Sequence, residues 1–558
     1  MKKIFDEILV IGLFIFFISL NALTLFSAKI TYKDLDIKKS MSVEEIEAEF
    51  ESTDVVTVKC KLKYDEFKYT KITRDVIVDD ESIKNERKEL NEAGAKYHSA
   101  INEKISKEIG DIGYKECYIS KYSPYIEYEF ESSVFSKNGI DILKRLDKNS
   151  KIGEIVVVNS EEEVLDDQMY YSAAQINLLQ DCNNSYATGA GINIGLLESG
   201  IINKNHANIS GSNYVIRTYI LNVKTDHATQ MASIIGCNTG FSPDATIYNA
   251  FTAGGLTQEI DWLVDNNVDL VNMSFRDQDR DGYYGDDSAV VDFYAKTYNM
   301  LFIAAAGNNG MEIGQYITNP GLAYNALTVG SCAEYNDPSG FTSYNTAVGP
   351  AKPTLVMYGT SIGIPNYHDG YNGTSYSTAM VTGAMGMIYE LYPALKNQPE
   401  RSIALATAAT YSMPGYSADE ENGLNSIVGA GVFKYDTIKS CYSNSALIYN
   451  QAGSGQKVVY TKSVRATGAS HLKVCITWFA DATGDPDDTT FNDYDIKIYN
   501  SSGEYVAAST ASENNLELVT FNVPYTDTYT IQIYQYDTTS STQRIGFAYR
   551  VIPYDYQW

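Results

Sequence analysis

Positive charge is scarce in this sequence, cysteine is sparse, and after the N-terminus no long apolar run occurs. Each shortage removes a class of function. Lys and Arg total 43 against 70 Asp and Glu in 558 residues, a formal net charge of −27. Nucleic acid is therefore excluded as a partner, because displacing its counterions needs a cationic surface. The seven cysteines (Cys60, Cys117, Cys182, Cys237, Cys332, Cys441, Cys475) are widely spaced and odd in number. They show neither metal-ligand spacing nor a disulfide framework. No second bilayer-length span follows residue 28, and no internal repeat is present.

What is there reads as a folded, multi-domain chain. Hydrophobic residues make up 44% and aromatics 12%, with 45 tyrosines, too apolar a composition for disorder. At about 150 residues per domain the length allows about three to four domains. Lys2 and Lys3 precede an apolar run from Ile8 to Ala28, the pattern of an export signal over residues 1–28. The run is also long enough to be kept as an anchor. Everything after it is expected outside the cytoplasm, secreted or attached to the cell surface, and a membrane enters only if that segment is retained.

Three regions follow. Residues 29–170 mix strand patterns such as "VVTVKCKL" and "YIEYEFES" with a long polar helix over 81–107, an α+β unit. Over 171–440, short buried strands ("INIGLL", "ATIYNAF", "VDLVNMSF", "MLFIAAA", "NALTVGS") alternate with helical runs after His227, Gly255 and Ser288. That alternation predicts an α/β fold, a parallel β-sheet flanked by helices. Over 441–558 helix signals vanish and alternating strands recur, predicting an all-β sandwich.

The middle region carries the chemistry. Ser375 in "GTSYSTAMVTG" opens an apolar helix stopped by Pro393. Free N–H groups and the helix dipole favour negative charge there, as an acyl-transfer nucleophile requires. His227 begins the apolar helix of "TDHATQMASIIG", Glu198 ends the buried strand of "INIGLLESG", and Asn308 follows the strand of "LFIAAAGNNG". Catalytic groups of open parallel sheets gather at these strand ends. Taken singly, Glu198 reads as a cap, His227 as a core histidine and Asn308 as a turn former.

Together, and in this chain order, the segments resemble the subtilisin-like serine proteases, the subtilase family. "GFSPDATIYNA", "VDLVNMSF" and "ITNPGLAYNALTVGS" add to the likeness. The resemblance implies a serine endopeptidase acting on protein or peptide substrates through an acyl-enzyme, without a catalytic cofactor. Ser375 would be the nucleophile, His227 the base, Glu198 the residue that orients the imidazole, and Asn308 the oxyanion donor. It further implies that residues 29–170 are a propeptide acting as an intramolecular inhibitor, and that the tail is jelly-roll-like.

Three departures from the family pattern stand out. The acid is Glu198 in Glu-Ser-Gly where the family has Asp, the His is followed by Ala228, and Ala379 stands where a Pro is usual. Successive side chains diverge on a helix, which aims Asp226 away from its neighbour His227. The longer acid leaves open a subtilase-fold pseudoprotease that binds peptides or a partner and cuts poorly. An α/β-hydrolase would need Gly-x-Ser-x-Gly, and here the fifth residue is Ser377. The related sedolisins lack the catalytic His and carry Asp in place of Asn308. A cell-wall-binding role led by the tail is a further alternative.

Two acidic stretches suggest calcium as a structural ion. Asp277, Asp279 and Asp281 precede Gly282 with the spacing of a Ca²⁺ loop, although Ser288 holds the twelfth position. Asp481, Asp485, Asp487, Asp488, Asn492, Asp493 and Asp495 form a looser cluster.

Overall fold

The computed structural model describes residues 30–31, 55–62, 80–159, 167–168 and 187–553, leaving out within the last span 210–212, 218–223, 253–254, 277–280, 313, 334–336, 345, 365, 368–369, 452, 454, 482–491 and 537–541. The N-terminal apolar run, Asp277, Asp279, Asp485, Asp487 and Asp488 lie outside the described residues.

The first unit is a five-stranded antiparallel sheet with two helices, Asp80–Ile109 and Ser132–Asp147. Alternation along Val55–Leu62 buries Val58, Cys60 and Leu62, the period of a half-buried strand. The second helix covers them with Phe135, Ile142, Leu143 and Leu146, one face at helical spacing.

A seven-stranded, all-parallel sheet forms the centre. Its strands run in the order Leu355–Tyr358, Leu327–Cys332, Leu301–Ala305, Leu270–Met273, Asn193–Glu198, Thr246–Phe251 and Tyr214–Ile216. Neighbouring residues on one strand point to opposite faces. A Cβ on Gly195 would press on Leu263 of the helix Leu256–Asp265, whereas Ile194 reaches Gly386 of the helix Thr374–Leu391. Both faces are thus covered by helices, which is why these strands are mostly apolar and do not alternate. The expected helical runs are Asp226–Gly236, Leu256–Asp265 and Asp286–Tyr298. The last starts two residues before Ser288, with Asp286 and Asp287 in its first turn, where carboxylates suit the helix dipole.

The tail is a sandwich of two four-stranded antiparallel sheets. Trp478, Tyr494, Ile496, Tyr529, Ile531 and Phe547 fill its core. Cys60, Cys237, Cys332, Cys441 and Cys475 are buried free thiols, and Cys117 is a half-buried one. Among the described residues no helix is long and apolar enough to cross a membrane.

Both flanking units press on the central one. From the first unit, Ser120 Oγ and the Lys121 N–H donate to the Asp261 carboxylate at 2.8 and 3.1 Å, joined by the Tyr118 hydroxyl and, from within the central unit, the Tyr294 hydroxyl. Lys121 and the Tyr122 hydroxyl bind Asp265 at 3.0 and 2.6 Å, and the Asn91 amide donates to the Val264 carbonyl at 3.0 Å. Burial pushes the Asp261 carboxyl up to about 6, against the pull of its four donors. On the other side, Lys473 of the sandwich donates to Thr410 Oγ1 and to the Ala430 carbonyl, both at 2.6 Å. Arg544 meets Glu400 at 2.9 Å.

Candidate active site

Glu198 is the last residue of its strand, flanked on both sides by parallel neighbours and fully buried. Its Oε2 lies 2.9 Å from His227 Nδ1. His227 is the second residue of the helix Asp226–Gly236, whose start is capped by Thr225 Oγ1 accepting from the Ala228 N–H at 3.2 Å. The turn after the acid locks onto that cap, since a Cβ on Gly200 would stand 2.3 Å from the Thr225 methyl. Gly200 is thus the residue that lets the acid-bearing turn and the histidine helix touch. Burial pushes the Glu198 carboxyl up, and the imidazole opposes that shift by charge and hydrogen bond. A carboxylate facing Nδ1 holds the proton there and leaves the Nε2 lone pair to act as base. Asp226, as expected, takes no part in this contact and is exposed.

Ser375 is the second residue of the helix Thr374–Leu391. Asn308 comes to it through Thr374: the Asn308 Oδ1 accepts from both the N–H and the hydroxyl of Thr374 at 3.0 Å. The Thr374 hydroxyl in turn accepts from the Gly307 N–H at 3.2 Å. With its carbonyl end so used, the carboxamide presents Nδ2 beside Gly373, 3.4 Å from where a Cβ on that glycine would stand. Ser375 Oγ donates to the Ser274 carbonyl at 3.2 Å, and Ser274 Oγ returns a bond to the Ser375 carbonyl at 3.1 Å. Behind them the Asn272 amide donates to Ser274 Oγ at 2.9 Å and accepts from the Thr382 hydroxyl at 3.0 Å. The Tyr376 ring sits edge-on to His227 at 6.1 Å, and its hydroxyl donates to Gln230 on the histidine helix at 2.8 Å.

Glu198 is therefore in contact with His227, and Asn308 with the turn that carries Ser375. Tyr376 joins the two halves. Reading the sequence missed Thr374, Asn272, Ser274 and Tyr376. The available signal was Asn272 and Ser274, which with Asp269 are the polar residues of the mainly apolar "VDLVNMSF" and are both fully buried here.

The calcium expectation meets only Asp281 among the described members of its loop, where Asp281 Oδ1 accepts from the Tyr283 N–H at 3.0 Å. Of the tail cluster, Asp481 pairs with Lys296, and Asp495 with Lys497 at 3.1 Å. Among the described residues no group of three or more His, Cys, Asp or Glu is arranged to hold a metal ion.

A short strand, Asp167–Gln168, runs antiparallel to Gly370–Asn372, placing Asp167 opposite Asn372 just before the Ser375 helix. The sequence profile of the subtilase family matches residues 189–431, the span that holds all four residues. These residues form a subtilase domain. The chain is 28% identical over 253 residues to the minor extracellular protease Epr of Bacillus subtilis (strain 168), covering 41% of this chain and 38% of Epr. It is 24% identical over 243 residues to subtilisin BL of Lederbergia lenta, covering 41% of this chain and 87% of that protein. The match thus spans under two fifths of the length of Epr. Among solved structures, the prenylagaramide maturation protease PagA aligns with 20% identity and a TM-score of 0.38, over 48% of this chain and 98% of that one. The subtilase domain is therefore flanked by an α+β unit and an all-β sandwich in one chain.

Proposed function

We propose that this chain is an exported serine endopeptidase that hydrolyses peptide bonds through an acyl-enzyme on Ser375, with a Glu198-His227-Ser375 triad. The buried 2.9 Å contact between Glu198 and His227 carries the reading, because it fixes the tautomer that a base needs. In the reaction Ser375 Oγ exchanges its bond to the Ser274 carbonyl for one to His227 Nε2, then attacks the substrate carbonyl carbon as His227 takes its proton. The tetrahedral oxyanion is met by Asn308 Nδ2 and the Ser375 N–H. Collapse of that intermediate breaks the C–N bond, and His227 returns the proton to the leaving amine. Water repeats the cycle against the ester and releases the acid. Glu198 remains ionised and stabilises the imidazolium.

Residues 29–170 act in this reading as an intramolecular inhibitor cut by the enzyme itself. The contacts to Asp261 and Asp265 support it, as does the strand Asp167–Gln168 beside the turn before Ser375. Export rests on Lys2, Lys3 and the apolar run to Ala28. A structural Ca²⁺ at Asp277, Asp279 and Asp281 belongs to the same proposal on spacing alone, and melting with and without chelator tests it.

The deciding experiment is labelling with a fluorophosphonate. Covalent modification of wild type and none of Ser375→Ala supports the enzyme. One observation favours the pseudoprotease, namely that the Ser375 side chain is wholly covered and hydrogen-bonded to Ser274. Absence of labelling in material freed of residues 29–170 would select that reading instead.

A further inference from the structure

In a chain carrying a charge of −27, one place collects cations. Where the sandwich meets the subtilase domain, a cavity of about 570 Å³ is lined by Lys462, Arg465 and Arg550, with Asp436 as the one carboxylate in its wall. Among the described residues no carboxylate oxygen lies within 4.0 Å of Lys462 or Arg550. Arg544, six residues before Arg550 on the same strand, shows the usual outcome at this seam, with Glu400 at 2.9 Å. Arg465 has the half-buried Asp527 in its field.

The two cations without a carboxylate are held in place by other means. The Arg550 guanidinium donates to the Ala409 carbonyl at 3.1 Å and lies 4.5 Å from the centre of the Tyr411 ring. Lys462 Nζ lies 5.9 Å from the Tyr549 ring centre. Strand register adds a like charge, because Arg550 stands directly opposite Lys473, an arrangement that costs free energy between neighbouring strands. Lys473 has its amine committed to Thr410 and Ala430 and offers nothing to offset the repulsion. Its pKa is pushed down to about 7, by burial first and by Arg550 second.

Preorganised cations with no carboxylate oxygen within 4.0 Å among the described residues, facing a cavity within the 300–1,000 Å³ range of small-molecule sites, call for an anion. We propose that this cavity binds a phosphate group, with Arg550 and Lys462 as its principal partners and Arg465 at the rim. The planar guanidinium suits two phosphate oxygens at once, and an ammonium serves as a point charge. Ser463 adds a hydroxyl to the wall, whereas the hydroxyls of Thr437 and Ser440 already donate to the Ala409 and Thr437 carbonyls. The volume exceeds what an inorganic ion fills, leaving room for the body of a phosphate ester.

Calorimetric titration of the full chain carrying Ser375→Ala tests this, with inorganic phosphate, glucose 1-phosphate and glucose as ligands. Saturable binding of either phosphate compound and none of glucose is expected. Arg550→Gln and Lys462→Gln should each weaken binding about tenfold or more, the worth of one charge-assisted bond. Arg550→Gln gives up the Ala409 bond and can melt lower, so Lys462→Gln, whose side chain makes no hydrogen bond among the described residues, is the variant that separates lost binding from lost folding. Tighter binding of the ester identifies an esterified ligand, and equal binding identifies free phosphate; both support the site. No binding by either compound, or binding unchanged in both variants, overturns it.

Discussion

The subtilase domain is gripped from two sides, and the two seams are made of different chemistry. Toward the N-terminal unit its carboxylates Asp261 and Asp265 accept from side chains and one backbone N–H. Among its described residues that unit lends Leu90, Tyr122 and Tyr125 as buried members of the central apolar core. Toward the sandwich, Lys473 and Arg550 donate to backbone carbonyls at Ala430 and Ala409, and Cys475, Phe479, Leu516, Leu518 and Ala548 enter the same core. Carbonyls do not titrate and merged cores do not part without unfolding. On the proposed propeptide reading, the first is the seam to be released and the second the one to last.

The widest test removes the step on which release depends. Ser375→Ala should lower turnover by about 10⁶ and accumulate as a chain that still carries residues 29–170, whereas wild type loses them and keeps the sandwich. Intact-mass spectrometry of both proteins reads this directly. Loss of the sandwich together with the N-terminal unit would break the comparison.

Next comes the acid. Glu198→Gln presents an amide that stabilises the wrong tautomer and should cost about 10⁴ in turnover. Glu198→Asp restores the usual family residue but withdraws the carboxylate from a contact already at 2.9 Å. A displacement of about 1 Å costs about 10²-fold, so this variant should also lose activity. Steady-state rates on an unstructured protein substrate separate the two, and a rise for Glu198→Asp would mean the backbone merely tolerates the longer acid.

The main line of this site was legible in the sequence. Ser375, His227, Glu198 and Asn308 each stand at a strand end or helix start, and those boundaries follow from apolar runs cut by glycine and polar residues. The supports were not legible, because each is a pair distant in the chain. Gly200 has its role only once Thr225 is beside it, and Ser274 only opposite Ser375. Asp481 read as part of an acidic cluster until the fold brought Lys296 to it. In the sandwich, alternation marked the strands but gave no sign that Lys473 would face backbone carbonyls.

Two glycines compare the seams mechanically. A Cβ on Gly546 would stand 2.2 Å from the Glu400 carbonyl oxygen, where only backbone would have to yield; on Gly94 it would stand 2.7 Å from the hydroxyl and 2.9 Å from a ring carbon of Tyr298, a buried ring bonded to the Tyr122 carbonyl. Gly546→Ala should therefore destabilise by about 3 kcal/mol and Gly94→Ala, where one side chain and not backbone must move, by about 2 kcal/mol. Denaturant unfolding of the Ser375→Ala chain would check the order.

Acidity should act on the two seams in different ranges. The docked Asp261 carboxyl, with a pKa of about 6 against an ordinary 3.8, holds its proton more tightly than when solvated. Docking of the N-terminal unit is therefore strongest below about pH 4 and weakens as pH rises toward 6, by at most about tenfold per pH unit. Asp261→Asn should flatten that dependence in a binding titration, while the sandwich seam, whose Lys473 amine is pushed down to about 7 by burial, strengthens as pH rises above 7. The smallest effect belongs to the exposed pair of Lys121 and Asp265, whose loss in Lys121→Ala should weaken docking by less than about 1 kcal/mol.

The unbridged thiols turn this difference into something a clock can read. Cys60 is sealed in the N-terminal unit, Cys237 and Cys332 in the subtilase domain, and Cys475 in the sandwich. None reacts with a thiol reagent until its own surroundings open. Timed alkylation followed by peptide mass analysis would therefore give a separate opening rate for each part of one unlabelled chain. Cys60, 0 % exposed in the core of its own unit, should be modified when that unit unfolds, and Cys237, Cys332 and Cys475 together, long afterwards.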